Sequence, residues 1–287
     1  MLTILHASDL QVGKPYRPPA AEALVRFVEA SPPDVVVVAG DLTQRAKASE
    51  YRIVRALLSR FAGIPVVVTP GNHDVPLFRF WERLLVPYRN WKRFVAPELD
   101  SILRVPGATF VALNSSAPRS AIVGGRLSEA QIAYARRAFE EGPAGDVRIL
   151  VVHHHFIVTD DGSGGNPLPG ARSHLESFAD MGIDLVLGGH VHQTRVLLPD
   201  DPRTGAPFAM VSAGTATSVR GRAAEADLNT LNLIQVADDA IRIVPHRLWE
   251  DRGRFEPTEP IVIPRTPAAG ERESTRMGSM EGSRGGA

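Results

Sequence analysis

Side chains that can bind metal ions follow five apolar runs of this sequence. The segments read "SDLQ", "GDLT", "GNHD", "HHH" and "GHVH". In α/β sheets, ligands bind beyond the carboxyl ends of the strands. Oxygen and nitrogen donors without sulfur suit Mn, Fe, Zn or Ni, and the set is large enough for two ions, with Asp41 a candidate bridge. The donors are Asp9, Gln11, Asp41, Asn72, His73, Asp74, His153, His154, His155, His190 and His192.

Taken singly, each of these residues has an ordinary structural explanation. An Asp after a strand is often a turn or cap residue, and one His in "GGHVH" can be a hydrogen-bonded structural residue. The joint pattern favours a metal site, because six of the nine histidines fall in three of the five segments. His190 and His192 are two residues apart, which places both on one side of an extended segment.

The elements that must position these residues are short and regular. Helical periodicity predicts helices over 19–30, 46–61 and 128–140, the last with a capping box between Ser128 and Gln131. The pattern predicts a layered α/β fold with some parallel sheet and a second, mostly antiparallel sheet. Nine apolar runs are predicted strands, at 1–8, 34–40, 64–71, 109–114, 147–153, 183–189, 208–214, 232–236 and 240–248.

We expect one domain over 1–264 and a disordered, Gly-rich tail over 265–287. An aromatic, Arg-rich insert at 75–105 either packs a helical lobe onto the core, which is the favoured interpretation, or forms an apolar groove. A Gly/Pro-rich segment at 157–173 is predicted to be a flexible loop, which either closes over a substrate or is merely disordered.

The composition excludes several classes of protein. Among 287 residues, Lys+Arg and Asp+Glu are both 32, which gives no support for bulk attraction to nucleic acid or membranes. The absence of Cys excludes disulfides, thiolate metal sites and Cys nucleophiles. No apolar run reaches the length of a spanning helix, and no signal peptide is recognisable. We therefore expect a cytoplasmic protein that does not bind nucleic acid.

The ordered motifs "DLQ", "GDLT", "GNHD", "HHHF" and "GHVH" resemble those of the calcineurin-like metallophosphoesterases, over roughly residues 1 to 250. The resemblance implies a four-layer α/β/β/α sandwich of two mixed sheets and a site for two divalent ions, Mn or Fe first and Zn second. Within the superfamily, the chain is most similar to the bacterial cyclic-nucleotide phosphodiesterase branch.

The resemblance also implies a role for each matching residue. One metal would be held by Asp9, Gln11 and His192, and the other by Asn72, one of the three adjacent histidines and His190, with Asp41 bridging both. Phe156 stands where the family usually has Pro, and the matching position is then His154, with His153 second. His155 is a further alternative, as a ligand or a substrate-facing residue.

The same resemblance implies a mechanism and several substrates. A metal-bridged hydroxide would attack phosphorus, while His73, oriented by Asp74, protonates the leaving oxygen. The expected substrate is a nucleotide-type phosphodiester or pyrophosphate. One alternative is a UDP-2,3-diacylglucosamine-type pyrophosphatase, which could touch a membrane peripherally. Another is a weakly active phosphate- or nucleotide-binding regulator, because Gln11 stands where most of the family has His.

Overall fold

The computed structural model describes residues 1–120, 122–159, 162 and 164–265. Short 3₁₀ turns occupy Asn72–Asp74 and Ala223–Glu225. The α-helices are α1 (Pro18–Ala30), α2 (Ala48–Ser59), α3 (Phe80–Leu85), α4 (Arg89–Phe94), α5 (Glu129–Glu140) and α6 (Ala171–Asp180). The strands are β1 (Leu2–Ala7), β2 (Val35–Val38), β3 (Val66–Val68), β4 (Ser101–Val105), β5 (Ala108–Leu113), β6 (Val147–Val152), β7 (Leu185–Gly188), β8 (Arg195–Leu197), β9 (Ala209–Ser212), β10 (Thr230–Val236), β11 (Ala240–Trp249), β12 (Arg254–Pro257) and β13 (Ile261–Pro264).

The strands form two mixed sheets. The first has the order β12-β11-β10-β1-β2-β3, with β13 also paired to β11. Strands β1, β2 and β3 are parallel, and the remaining pairs of this sheet are antiparallel. The second has the order β4-β5-β6-β7-β9-β8, parallel except at its two edge strands.

Three apolar clusters hold four layers together. The central cluster lies between the two sheets and includes Val35, Val37, Ile149 and Leu187. A second cluster packs α1 and α2 on the outer face of the first sheet, and a third packs α5 and α6 on the outer face of the second. The predicted α/β/β/α sandwich is confirmed. Strands β1 and β2 are apolar on successive residues because both of their faces are covered.

All nine predicted strands and all three predicted helices are present, with shifted ends. The capping box is also present: Gln131 donates its backbone N–H to the Ser128 hydroxyl at 3.3 Å, and the Ser128 N–H donates to Gln131 Oε1 at 3.1 Å. The strand-rich last third extends the first sheet by antiparallel pairing, because β10 pairs with β1. Strands β4, β8, β12 and β13 were not predicted, and neither were α3, α4 and α6.

The aromatic side chains of the insert divide into two groups. Trp91 and Phe94 pack into the core of the first sheet, as the favoured interpretation predicts. That interpretation is wrong for Phe78, Phe80 and Trp81, which are 77%, 64% and 70% exposed. These three rings stand at the start of the insert, where α3 has only six residues.

The predicted loop at 157–173 ends earlier than expected, because α6 begins at Ala171. Its residues 160, 161 and 163 lie outside the described residues, as does the predicted tail from 266 onward. Among the described residues, we find no helix with the length and apolar character needed to cross a membrane.

Candidate metal centre

The candidate metal ligands meet where strand ends of the two sheets come together. Asp9 contacts His192 at 3.1 Å, and Asp41 lies 3.5 Å from His153 Nε2. Asn72 Oδ1 lies 3.1 Å from His190 Nδ1. In each pair, an oxygen donor follows a strand of the first sheet and an imidazole follows a strand of the second. The predicted convergence is therefore present in the structure.

The backbone is left-handed at most of these positions. Nine non-glycine residues in the described chain have positive φ, and five of them are predicted ligands. Non-glycine residues adopt this region rarely, and such strain concentrates at functional sites. The five ligands and their φ angles are Asp9 (54°), Gln11 (47°), Asp41 (53°), His190 (70°) and His192 (58°).

Three buried polar atoms at the centre of the site lack a hydrogen-bond partner: Asp9 Oδ1, Asp41 Oδ2 and His153 Nε2. One ligand atom from each of these residues lies within 4.8 Å of the others. Buried polar atoms are nearly always paired, and an unpaired one is costly. Asp9 Oδ1 faces His192 Nε2 and His153 Nε2 faces Asp41, but none of the three atoms holds a hydrogen bond among the described residues. Buried oxygen and nitrogen atoms that face one another in this way fit a divalent cation, so the site passes this test for the expected metals.

The geometry favours His153 over His154, the reverse of the predicted choice. His153 Nδ1 contacts the Ala39 carbonyl at 2.7 Å, which leaves Nε2 facing Asp41. In His154 both ring nitrogens contact other protein atoms, Nδ1 with Ser115 Oγ at 2.7 Å and Nε2 with the Val123 carbonyl at 3.0 Å. His154 lies close to His153 and His190, but its lone pair is not free to face the carboxylates.

Gln11 is fully buried beside His192. Its amide nitrogen lies 3.1 Å from His192 Nε2, and its Oε1 accepts from the Ser218 hydroxyl at 3.0 Å. In this orientation the amide oxygen faces away from His192. A half-turn of the amide would present the oxygen, while Ser218 Oγ would then accept from the amide nitrogen. The side chain is therefore placed to bind a metal through its oxygen only after that rotation.

Asp74 does not orient the His73 ring, contrary to the prediction. Its carboxylate accepts from the backbone N–H groups of Leu42, Thr43 and Gly71 at 2.9–3.0 Å. Although Asp74 is next to His73 in sequence, its carboxylate instead connects the loops that carry Asp41 and Asn72 through these hydrogen bonds. The His73 ring is oriented by the Gln44 carbonyl, which lies 3.1 Å from Nδ1.

The second ring nitrogen of His73 contacts a residue that the sequence did not predict. Arg220 donates from Nη1 to His73 Nε2 at 3.0 Å. Because arginine only donates, Nε2 accepts here, and the proton of the ring lies on Nδ1 toward Gln44. The Arg220 carbonyl also contacts His192 Nδ1 at 2.7 Å, which directs the other nitrogen of that ring toward Asp9.

The carboxylates and imidazoles shift one another's protonation. Burial alone would favour neutral Asp41, but the imidazoles of His153 and His73 outweigh it and hold its pKa well below its usual value. Burial opposes a charge on His153 too, yet Asp41 raises its pKa to about 9. Burial lowers the pKa of His190 to about 3, which leaves its lone pair available. The charge on Asp41 therefore favours the protonated form of the His153 ring, whereas burial favours the neutral form of the His190 ring.

A pocket of about 320 Å³ opens over this site. Asp41, His73 and His190 line one part of it, and Ile122 and Val123 form an apolar part. Its remaining charged lining consists of three arginines, Arg45, Arg220 and Arg222. For Arg220 and Arg222, the only sequence signal is the basic pair in "SVRGR". This pair follows an apolar run, as the predicted metal ligands do.

The arginines of the insert, by contrast, contact the protein itself. Arg79 pairs with Glu82, and Arg83 donates to the carbonyls of Pro118 and Pro76. Neither lines the pocket. Local chain contacts therefore account for these side chains, although they lie in the segment with the densest run of arginine and aromatic residues.

His155 lies beside the site without contacting the carboxylates. Its ring stacks on His190, with centroids 5.4 Å apart and an interplanar angle of 19°. Nε2 contacts the Gly165 carbonyl at 3.3 Å, and Nδ1 has no partner among the described residues. The ring thus buttresses His190, and its position does not favour a ligand role.

Solved structures with the same fold include several phosphatases. A dimetal phosphatase from Danio rerio is 13% identical, with a TM-score of 0.63 over 92% of this chain and 99% of that one. Purple acid phosphatase PPD1 from yellow lupin is 13% identical, with a TM-score of 0.64 over 92% of this chain and 54% of that one. GAP50, the anchor in the inner membrane complex of Plasmodium, is 14% identical, with a TM-score of 0.60 over 93% of this chain and 90% of that one. At these identities the likeness concerns the fold alone.

Sequence comparison identifies the family. A probable cyclic nucleotide phosphodiesterase of Synechococcus is 27% identical over 179 residues, which are 61% of this chain and 64% of that protein. The aligned part thus spans just under two thirds of the length of that relative. The sequence pattern of the calcineurin-like phosphoesterases matches residues 2–194. Because this match covers more than half of the chain, including every strand end that carries a candidate ligand, the protein belongs to the calcineurin-like phosphoesterase family.

Proposed function

We propose that this protein is a dinuclear metal-dependent phosphoesterase that hydrolyses a phosphodiester or pyrophosphate bond of a nucleotide-type substrate. The observation that carries the proposal is the set of three unpaired, buried atoms, Asp9 Oδ1, Asp41 Oδ2 and His153 Nε2. Burying two carboxylate oxygens and an imidazole nitrogen without hydrogen bonds lowers the stability of the fold, and cation binding compensates that cost. Family membership gives the reaction class.

Each sheet supplies part of both metal positions. Asp9, Gln11 and His192 would hold one ion, and Asn72, His153 and His190 the other, with the Asp41 carboxylate between them. Divalent ions supply Lewis-acid polarisation of the phosphoryl oxygens and a water of lowered pKa when they are bound. The oxygen-rich ligand set suits Mn or Fe, and Zn is the next candidate.

His73 and Arg220 act on the substrate side of the metal positions. The Gln44 carbonyl holds the Nδ1 proton of His73, so Nε2 is the nitrogen that faces the pocket. In the resting state Nε2 accepts from Arg220. A phosphoryl oxygen that takes the Arg220 N–H releases Nε2, which then takes up a proton from solvent water and delivers it to the leaving oxygen, while Nδ1 keeps its own proton. Asp74 contributes indirectly, by fixing the loop that precedes the 3₁₀ turn.

A second candidate is a pyrophosphatase that acts on a lipid-linked nucleotide, such as UDP-2,3-diacylglucosamine. The observation in its favour is apolar: Ile122 and Val123 line the pocket and are 60% and 57% exposed. The rings of Phe78, Phe80 and Trp81 are also exposed, at the start of the insert at 75–105. An exposed apolar group of this kind marks a ligand or membrane contact. A weakly active nucleotide-binding regulator is the third candidate.

A substrate screen with Mn²⁺ tests the proposal. Bis-(p-nitrophenyl) phosphate, cyclic nucleotides, nucleoside diphosphate derivatives, UDP-2,3-diacylglucosamine and simple monoesters are compared at equal concentration. We expect turnover of the diester and of one nucleotide class, abolished by Asp41→Ala and by chelation. Tight nucleotide binding without turnover of any substrate would instead establish the regulator, and turnover of the lipid-linked compound alone would establish the second candidate.

A further inference from the structure

Three arginines line the pocket above the metal positions without a carboxylate partner. Among the residues that the structure describes, none of Arg45, Arg220 and Arg222 lies within ion-pair distance of an Asp or Glu carboxylate. All three are half-buried. Most of the described arginines outside the pocket contact a carboxylate or donate to a backbone carbonyl. Arg79 and Arg83 of the insert and Arg172 of α6 are examples. Uncompensated guanidinium groups that converge on one pocket indicate an anion-binding site.

The arginines come from two segments of the chain that are far apart in sequence. Arg45 follows the loop that carries Asp41, and its guanidinium lies 4.9 Å from the centroid of the Phe78 ring. A cation–π contact of this kind positions the group without neutralising it. Arg45 also has its backbone N–H bound to Glu50 Oε2 at 2.8 Å, so the start of its side chain is fixed.

The other two arginines belong to one segment that is tied to a metal ligand. The Arg220 carbonyl contacts His192 Nδ1 at 2.7 Å, and the Arg222 N–H donates to the His192 carbonyl at 3.2 Å. The side chains of Arg220 and Arg222 therefore hold a ligand at a fixed position relative to the metal that His192 would bind. Preorganised donors of this kind are what phosphate recognition requires.

Charge decides which substrate fits. The carboxylates of Asp9 and Asp41 carry two negative charges, whereas two divalent ions carry four positive charges and the arginines three. Among the described residues of the site, and with two divalent ions bound, positive charge would exceed negative charge by five. A cyclic nucleotide brings a single negative charge, all of it on the scissile phosphate. A diphosphate ester brings a second charged phosphate next to the scissile one, where the guanidinium groups stand.

We propose that Arg45 and Arg222 form a second phosphate subsite beside Arg220, and that the preferred substrate is a diphosphate ester with a pyrophosphate linkage. This inference rests on the proposed phosphoesterase activity and narrows it. The metal positions and Arg220 bind the scissile phosphate, and Arg45 and Arg222 bind its neighbour, which then leaves with the departing group or stays with the nucleoside. A single-phosphate diester uses the metal positions and Arg220, without Arg45 or Arg222.

The test compares Arg45→Ala and Arg222→Ala with Arg172→Ala, a matched control at an arginine of α6 that is outside the pocket and 88% exposed. The substrates are ADP-ribose, which has a pyrophosphate linkage, and cyclic AMP and bis-(p-nitrophenyl) phosphate, which have single charges. For the wild type we expect kcat/KM to be about tenfold or more higher for ADP-ribose than for cyclic AMP. Each pocket variant should lose about tenfold more on ADP-ribose than on bis-(p-nitrophenyl) phosphate, mainly through KM. Arg172→Ala should change neither.

A binding measurement separates this inference from the activity itself. Calorimetry with α,β-methylene-ADP and AMP should show tighter binding of the diphosphate to the wild type, with the preference lost in Arg45→Ala and Arg222→Ala. Equal affinities, or equal losses on all three substrates, would overturn the subsite while leaving the phosphoesterase intact. A diphosphate preference in binding, together with no turnover of bis-(p-nitrophenyl) phosphate, would sustain the subsite and overturn the activity.

Discussion

The first sheet brings oxygen donors to the site, whereas the second sheet brings imidazoles. The carboxylates of Asp9 and Asp41 follow β1 and β2, and the rings of His153 and His190 follow β6 and β7. All the formal negative charge therefore lies on one sheet and all the imidazole ligands on the other. Neither sheet alone forms a complete cation site, so the metal positions depend on how the two sheets are packed together.

The largest effect is expected from the residue that serves both metal positions. Asp41→Asn keeps the shape of the side chain but removes the charge that faces His153 and His73. We expect loss of both metals and a fall in kcat of at least about 10³-fold, measured with bis-(p-nitrophenyl) phosphate. Asp180→Asn, at an exposed carboxylate at the end of α6, is the control. A variant of Asp41 with near-normal metal content would show that the first sheet is not essential to both positions.

On the second sheet, two adjacent histidines provide a matched pair. His153→Gln removes a ring nitrogen that faces Asp41, whereas His154→Gln removes contacts with Ser115 and Val123. Residues that only support metal ligands typically cost 10–100-fold in activity, so we expect about 10-fold for His154→Gln and more than about 100-fold for His153→Gln. Metal content should fall by one equivalent only in the latter, and the opposite ranking would restore His154 as the ligand.

The strand ends were predictable because chemistry and periodicity coincide there. Buried strands such as β2 read as unbroken β-branched runs, and the polar residue that follows each is conspicuous. The choice between His153 and His154 was not predictable, since the twist at the end of β6 decides which ring turns toward Asp41. Asp74 was misassigned because its neighbour in sequence, His73, is not its partner in space. Arg45 lacked any local motif, and Arg220 had only the basic pair in "SVRGR". The folded chain brings these two residues, 175 positions apart in sequence, to the pocket that His73 lines.

On the first sheet, Gln11 is the proposed ligand with the weakest donor atom. A neutral amide must rotate away from Ser218 before its oxygen faces the metal, whereas an imidazole at this position would need no such change. Gln11→His should therefore tighten binding of the first Mn²⁺ by about tenfold, measured by calorimetry, and should slow metal loss on dialysis. Unchanged affinity would mean that Gln11 is a turn residue and that the first metal is held without it. Ser218→Ala offers a comparison, because it frees the amide without adding a ligand.

The smallest effect on activity is expected at a contact between the sheets away from the metal positions. His6 on β1 is fully buried, with Nε2 3.1 Å from the Gly188 carbonyl on β7. Burial lowers its pKa to about 4. Because the folded state then binds fewer protons than the unfolded state between pH 6.5 and pH 4, its stability falls as the pH falls through that window.

The His6 contribution amounts to about 3 kcal/mol over the whole window. We compare the free energies of unfolding of the metal-free proteins by urea denaturation. On acidification from pH 6.5 to pH 4, this free energy should fall by about 3 kcal/mol less in His6→Gln than in the wild type. Parallel pH dependences in the two proteins would show that His6 is not the group that titrates.

Metal stoichiometry tests the joint contribution of the two sheets most directly. Purified protein is titrated with Mn²⁺, and bound ions per chain are counted by electron paramagnetic resonance of the free ion and by elemental analysis after gel filtration. The account predicts two ions per chain at saturation, the second bound more weakly, and no tightly bound ion in Asp41→Asn. A saturation value of one ion per chain, or an unchanged value of two in Asp41→Asn, would contradict it.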